Sequence, residues 1–565
     1  MRRLVLIVVL VAAAAAIYVA LPPPARILPP AAGLAAPVRG AIHVHTNRSD
    51  GSGSMDDVAA AAGKAGLRFV IVTDHGDATR PPEPPSYRSG VLVIAAVEIS
   101  TWSGHVVALG LPRAPYPLAG DGRDVIEDIA RLGGFSIAAH PANDKAETRW
   151  TEWTAPFNGL EWLNGDSEWR DEPPSLLART LVAYPFRPVE SISLMLDRND
   201  MVMSRWDELA KRRKVVAVAA ADAHARVGLP SAPDPSNRRG LLHVPSYETM
   251  FRAFSIALPD ASLVNDAEQD ARAVVDAIRG GRVFSSVDAV APRPAFTFTA
   301  ASGSNRASAG ESLALDGPVQ LHVRVQAPPD AQIALFRNGT RALNVGGTQL
   351  MYEAGAEPAV YRVEVALPGP HGLAAAPWIV SNPIYVGRPP VDPPPPAFRP
   401  PAKEKADIYV DGSAGEWTVE HSTTAQAALD VARAVGGSQL LLRYALSGTP
   451  SSSPFAALVL PASSLLAQHD RVTFSAQADH PMRISMQLRV PRNGREAQRW
   501  QRSVYVDTTP REVSVFFDDM TPVTRTGPRH PPLSDVGSLL FVVDTVNTKL
   551  GTSGQLFLDN VRYER

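Results

Sequence analysis

At 565 residues, 45% hydrophobic and 20% charged, the chain is globular in composition but too long for one core, and ~150 residues per domain predicts three or four domains. A net charge of −2 offers no positive field for nucleic acid, so no stable nucleic-acid partner is expected. Zero cysteines exclude disulfides, thiol nucleophiles, iron–sulfur clusters and thiolate zinc sites, so any metal must be held by His, Asp and Glu.

Arg2 and Arg3 precede an uncharged run, Leu4 to Ala20, which Leu21-Pro22-Pro23-Pro24 then stops because proline lacks the amide donor. Residues 1–24 read as a signal peptide or a signal anchor, the run lying at the short limit of a span, for which ~20 residues are typical. The expected location is extracytoplasmic, periplasmic or secreted, with membrane anchoring through residues 4–20 if the signal is uncleaved.

From Ala41 to about Val227, the runs AIHVH, FVIVTDH, VLVIAAVEIS, HVVALGL, FSIAAHP, GLEWLN and VVAVAAADAH alternate with helical stretches. Helices are predicted at Met55 to Ala65, Val125 to Leu132 and Trp206 to Arg212. Apolar strands separated by helices predict a parallel sheet buried on both faces, closed into an α/β barrel over residues 38–290. Beyond Ala295, FTFTA, VQLHVRVQA, AQIALFRNG and YRVEVALPG alternate with turn residues and predict an Ig-like β-sandwich over 295–387. Arg388 to Ala402 holds eight prolines in 15 residues, so 388–404 reads as a semi-rigid linker. Residues 405–565 read as a jelly-roll β-sandwich.

Six histidines precede residue 240: His43, His45, His75, His105, His140 and His224. All but His105, which opens its strand, lie at or just past the C-terminal end of a predicted strand. Asp50 follows the first strand, Glu98 lies near the end of the third, and Asp222 sits two residues before His224. Strand ends of a β/α barrel converge on one rim, so nine metal-type ligands would share a mouth. His43-Val44-His45 and Asp222-Ala223-His224 each put two side chains on one face, because the strand repeat is two. A lone histidine after a strand is usually a core or surface residue. That explanation does not produce two such pairs plus TDH, an inward Glu98 and HP in one domain.

Nitrogen and carboxylate donors without thiolate suit Zn, Mn or Fe(II). Two such ions close together lower the pKa of a bridging water and neutralise charge on an attacked ester. Asp50, Glu98, His140 and Asp222 are the residues expected to take direct part in catalysis. Ser49 and Thr73 lie beside ligands and read as hydrogen-bonding or capping residues rather than nucleophiles.

The runs HVHTNRSDGSGSMDDVAAAAGKAGLRFVIVTDH, VEIST, GHVVALG, AAHP and ADAH resemble the PHP superfamily, named for polymerase and histidinol phosphatase. The resemblance covers Ala41 to Arg226 and extends to about Val287. It implies a distorted (β/α)7 barrel, here followed by two all-β sandwich domains, holding two or three divalent Zn, Mn or Fe ions. It further implies that His43, His45, Glu98 and Asp222 bind one ion and that Asp50, His75 and His224 bind another. His105 and His140 would join Glu98 at a third or bridging position. VVDAIRGGRVFSS leading into a sandwich resembles the exported carbaryl-hydrolase-type branch of that superfamily.

Lys145, Arg149, Arg170, Arg198 and Arg226 lie in or near predicted rim loops, where one or two would clamp a phosphate. Trp150, Trp153, Trp162 and Trp169 would form an aromatic wall for a flat organic group, with Glu161 and Asn164 lining the same mouth. The expected function is an exported metal-dependent phosphoesterase acting on a small-molecule ester, either a small phosphate ester or a nucleotide. The alternative is a carboxyl or carbamate ester hydrolase on the same centre, and a third reading is a non-catalytic binding protein using the β modules. The closing SGQLFLDNVRYE resembles carbohydrate-binding jelly rolls, which implies glycan or cell-surface contact beside a spacer role. Every proposed ligand precedes the linker, so truncation at about Arg388 is expected to leave hydrolysis intact.

Overall fold

The computed structural model describes residues 5, 15, 18, 19, 21–31, 33–226, 244–368, 376–387, 399–434, 437–524 and 528–565. Most of the expected signal segment, and residues 388–398 of the expected linker, lie outside the described residues. The chain divides into two compact units, Met1–Pro112 with Ile126–Pro395, and Arg113–Val125 with Pro396–Arg565. Among the described residues no helix is long and apolar enough to cross a membrane.

The first unit begins with β1 (Val38–Ile42), β2 (Phe69–Val72), β3 (Ser86–Arg88) and β4 (Val91–Ala95). β1, β2 and β4 run parallel, and β3 turns back along β4. Next come β5 (Val97–Thr101), β6 (Gly104–Leu109), β7 (Phe135–Ala138), β8 (Gly159–Asn164) and β9 (Val216–Ala220), which form a separate five-stranded sheet. In that sheet β5–β6–β7 is antiparallel and β7–β8–β9 parallel. Two further strands, β10 (Ser255–Leu258) and β11 (Phe284–Ser286), continue the first sheet antiparallel beside β1.

The expected (β/α)7 barrel is therefore corrected. The described residues are mostly β, with 39% strand and 16% helix. Among the described residues no ladder joins β9 to β1, where a single bridge pairs Val44 with Ala223, and β5 meets the first sheet only through a bridge from Glu98 to His75, three residues beyond β2. β10 occupies the edge of β1 that a closing strand would need. β11 then pairs with Ile379–Ser381, a strand of the region expected to be an independent sandwich, so one twelve-stranded sheet runs through both regions. Its companion there is a four-stranded antiparallel sheet built on Phe296–Ser302 and Val319–Val325.

The apolar spacing that suggested a barrel is satisfied by this arrangement. Alternate residues Phe69 and Ile71, Leu92 and Ile94, Val107 and Leu109, Phe135 and Ile137, and Val216 and Val218 enter one core. They pack with Val274 and Ile278 of the helix Ala267–Arg279, whose Asp266 cap accepts from the Gln269 amide. Two of the three predicted helices appear at Met55–Lys64 and Asp200–Ala210; the third spans Gly122–Arg131.

The second unit is an antiparallel β-sandwich of two six-stranded sheets around a core that includes Trp417, Phe474, Trp500 and Phe541. In one sheet the last strand of the chain, Ser553–Glu564, lies between Gly437–Leu446 and Arg471–Ala478. The segment Arg113–Val125 folds with this unit. The Asn547 amide donates to the carbonyls of Pro117 at 2.9 Å and Ala119 at 3.1 Å, and Arg483 Nη2 donates to the Asp124 carbonyl at 2.9 Å.

Candidate metal centre

Where β1 ends, His43, Val44 and His45 continue past the ladder, and Val44 bridges Ala223. His43, His140 and Asp222 have φ of 64°, 30° and 43°, a region non-glycine residues avoid. Three candidate ligands thus sit on backbone that the surrounding structure must hold against its preference.

The loop from His45 to Gly53 is held by Asp74 and Tyr247, neither of which is among the nine candidate ligands. Thr46 donates from its amide and hydroxyl to Asp74 at 2.7 and 2.6 Å, and the Ser49 hydroxyl donates to Asp74 at 2.7 Å. The Tyr247 hydroxyl donates to the His45 carbonyl at 2.7 Å and accepts from the Gly53 amide at 3.2 Å. Gly51 has no room for a side chain, since a Cβ would lie 2.1 Å from the His45 carbonyl oxygen. A capping box between Ser54 and Asp57 then starts the helix Met55–Lys64 and fixes the loop's exit.

Glu98 is the hub. Its Oε2 lies 3.2 Å from His43 Nε2, His45 Nε2 and His75 Nδ1, and its Oε1 lies 2.8 Å from His105 Nδ1 and 3.0 Å from His140 Nε2. Asp222 Oδ1 is 3.4 Å from His43 Nε2 and 3.3 Å from His45 Nε2, while Asp50 Oδ2 is 3.2 Å from His224 Nε2. All nine residues singled out from the sequence meet here, in four overlapping sets whose donor atoms lie within 4.8 Å of one another. The sets are His45, Asp50, His75 and His224; His43, Glu98 and His140; His43, His45 and Asp222; and His75, Glu98 and His105. His45 is thus within reach of the Asp50 group as well as the Asp222 group.

Burial disfavours charge throughout this cluster, yet the opposed charges outweigh it. Against desolvation, Asp222 and Glu98 raise His45 to about 10, and Asp222 with Glu161 and Glu98 raises His43. Glu98 and Asp222, equally opposed by burial, are held well below the usual carboxylate range by the facing imidazoles, chiefly His43. His75 goes the other way, lowered by burial. Three ionised carboxylates in a buried pocket demand cations, and protons on imidazoles or metal ions meet the same demand. Nor are the donors satisfied internally, because His43 Nε2, His45 Nε2, Asp50 Oδ1 and His140 Nδ1 are buried without a hydrogen-bond partner. The donor set therefore fits divalent transition ions.

The expected substrate residues fare differently. Trp162 is 3% exposed with its indole N–H donating to Ser285, and Trp150 is 1% exposed with its N–H on the Glu152 carbonyl. Both are packing residues, not a wall of the mouth. Asn164 is buried too; its amide donates to Glu161 at 2.7 Å, so it supports the site from behind. Arg198 is engaged by Glu364, and Arg170 pairs with Asp166 and stacks on Trp169. Arg149 lies on the loop after His140, its Nε donating to the Asn143 carbonyl at 2.6 Å. Arg226 follows His224 by two residues, at the edge of the described chain. Ser49 has the expected hydrogen-bonding role, whereas the Thr73 hydroxyl is buried without a partner. Sequence reasoning missed the supporting roles of Asp74 and Tyr247. Asp74 stood in plain view inside TDH, while nothing local marks Tyr247.

No family model and no curated protein matches the chain. Solved structures do. A family 11 carbohydrate-binding module from Clostridium thermocellum, in complex with a mixed-linked tetrasaccharide, is 12% identical. That match covers 28% of this chain and 94% of the module, with a TM-score of 0.25. A family 30 module of a Clostridium thermocellum cellulosomal cellulase is 13% identical over 28% of this chain and 96% of that one, with a TM-score of 0.21. Scores of this size carry no argument about ligand or activity.

Proposed function

We propose that the chain is a metal-dependent hydrolase, a phosphoesterase acting on a small-molecule phosphate ester. The observation that carries this reading is the Glu98-centred cluster, with four overlapping donor sets and orphaned buried nitrogens. The motif resemblance to the PHP superfamily supports the same chemistry. Two or three Zn, Mn or Fe ions would be held by His45, Asp50, His75 and His224, by His43, His45 and Asp222, and by Glu98 with His105 and His140. When bound, such ions lower the pKa of water and offset charge on an ester's oxygens.

The chain's own residues do the rest. Glu98 faces five imidazoles and ties them to one carboxylate. His43 and His45 are fully buried whereas the side chain of His75 is 33% exposed, so the ester would enter on the Asp50–His75 side. A phosphate ester spreads its charge over several oxygens, which several cation positions around one carboxylate accommodate better than a single carbonyl requires. The carbamate alternative rested on the tryptophan wall, and Trp150 and Trp162 give it no support.

We infer export from Arg2, Arg3 and the run at 4–20. Purified protein should hold about two or more equivalents of transition metal per chain, since nine donors with a shared glutamate complete at least two sites of four. Metal-loaded protein should hydrolyse p-nitrophenyl phosphate or its bis-ester in preference to naphthyl carbamate. Less than about half an equivalent after reconstitution with Zn or Mn would remove the metal reading. Cleavage of the carbamate alone would replace the phosphoesterase with its alternative.

A further inference from the structure

Glu161, on β8, lies outside the nine candidate ligands yet is 2% exposed and makes three short polar contacts. Its Oε1 takes His43 Nδ1 at 2.6 Å. Its Oε2 accepts from the His140 backbone amide at 2.7 Å and from the Asn164 amide at 2.7 Å. Asn164 is in turn fixed, accepting from the Ser167 amide at 3.1 Å and hydroxyl at 3.0 Å. Ser167 accepts from Asn143 Nδ2 at 3.0 Å, and the Asn143 amide returns to the His140 carbonyl at 2.9 Å. The contacts close a ring from β8 to the loop that carries His140.

We propose that Glu161 is the positioning residue of the centre, setting His43 through its side chain and His140 through its backbone. With Nδ1 committed to Glu161, only His43 Nε2 can face Glu98 and Asp222, and that nitrogen is one of the buried atoms without a hydrogen-bond partner. At His140 the carboxylate holds the amide of a residue whose φ of 30° is otherwise unfavourable. A carboxylate suits both tasks, because each of its two oxygens can serve as an acceptor. Asp74 performs a comparable service for the His45 loop through Thr46 and Ser49, whereas Glu161 meets the His43 imidazole itself.

The inference rests on the metal reading, and the test separates the two. Mn²⁺ and Zn²⁺ affinities are measured by chelator competition on the full chain, for the parent, Glu161→Gln, Glu161→Asp and Asn164→Ser. Glu161→Gln should lose ~10–100-fold in affinity, the usual cost of removing an outer carboxylate from a ligating histidine. The metal-free melting temperature should move little, and Glu161→Asp should recover part of the affinity. A parent that binds neither ion removes the metal reading and this inference with it. A parent that binds, beside a folded Glu161→Gln variant within about threefold of it, overturns the role of Glu161 alone. Should Glu161→Gln not fold, Asn164→Ser decides: it removes the donor that aims Oε2, and unchanged affinity there overturns the proposal.

Discussion

Asp222 has φ of 43°, and asparagine is among the few residues that adopt this region readily. Asp222→Asn therefore removes a charge without adding backbone strain. We expect kcat/KM on the best substrate to fall at least ~10²-fold, because weakening one ion forfeits both water activation and charge neutralisation. The melting temperature of metal-loaded protein should fall while that of metal-free protein barely moves, since ion binding stabilises only the folded state that binds it. Retention of a third of parental activity would take Asp222 out of the ligand set. Glu168 poses a different test. Burial raises its carboxyl to about 8, the Asp197 amide opposes this, and the Asp197 and Asp171 charges add to it. Between its ordinary 4.5 and about 8 the folded state holds more protons than the unfolded, so stability present at low pH is lost as pH rises through that window. Glu168→Gln keeps an acceptor for the Asp197 amide, now 3.0 Å from Oε2. It should raise the melting temperature at pH 9 by ~2–4 °C and leave it nearly unchanged at pH 5. A pH-independent difference would show that the carboxyl ionises normally.

At the scale of elements, the His45–Gly53 loop depends on the helix Tyr247–Ala253, which approaches it from far along the chain. Tyr247→Phe leaves the His45 carbonyl and the Gly53 amide without their partner and should cost ~1–3 kcal/mol. Because His45 belongs to two of the four donor sets, metal affinity should fall as well. Unfolding in urea and a metal titration of the same variant check both, and a stability loss with unchanged affinity would confine Tyr247 to packing.

For the whole molecule, the position of Arg113–Val125 alters an expectation drawn from the proline-rich stretch. This segment leaves the first unit between β6 and β7, the strands that carry His105 and lead to His140, and folds with Pro396–Arg565. Deleting 396–565 strips it of Asn547 and Arg483, and of Tyr505, whose ring lies 6.3 Å from that of Tyr116. A chain ending at about residue 388 should therefore be less stable and less active than the parent, although every candidate ligand is retained. Equal melting temperature and equal kcat/KM in the shortened chain would restore the view that the linker separates independent parts.

The candidate centre was legible in sequence because its donors come in pairs at strand ends: HVH and DAH fix two side chains each by the two-residue repeat. The proline-rich stretch at 388–402 was a local signal of the same kind. The closed barrel was not decided by such signals. Inward residues such as Phe69, Ile71, Val216 and Val218 alternate identically in a closed barrel and in two sheets that share a core. The choice was made by non-local pairings: β10 beside β1, and β11 beside Ile379–Ser381, almost a hundred residues on. Trp162 and Asn164 show the same division. Their place within GLEWLN was visible, but the side each faces depends on Ser285 and Glu161, contacts that exist only once the strands have paired.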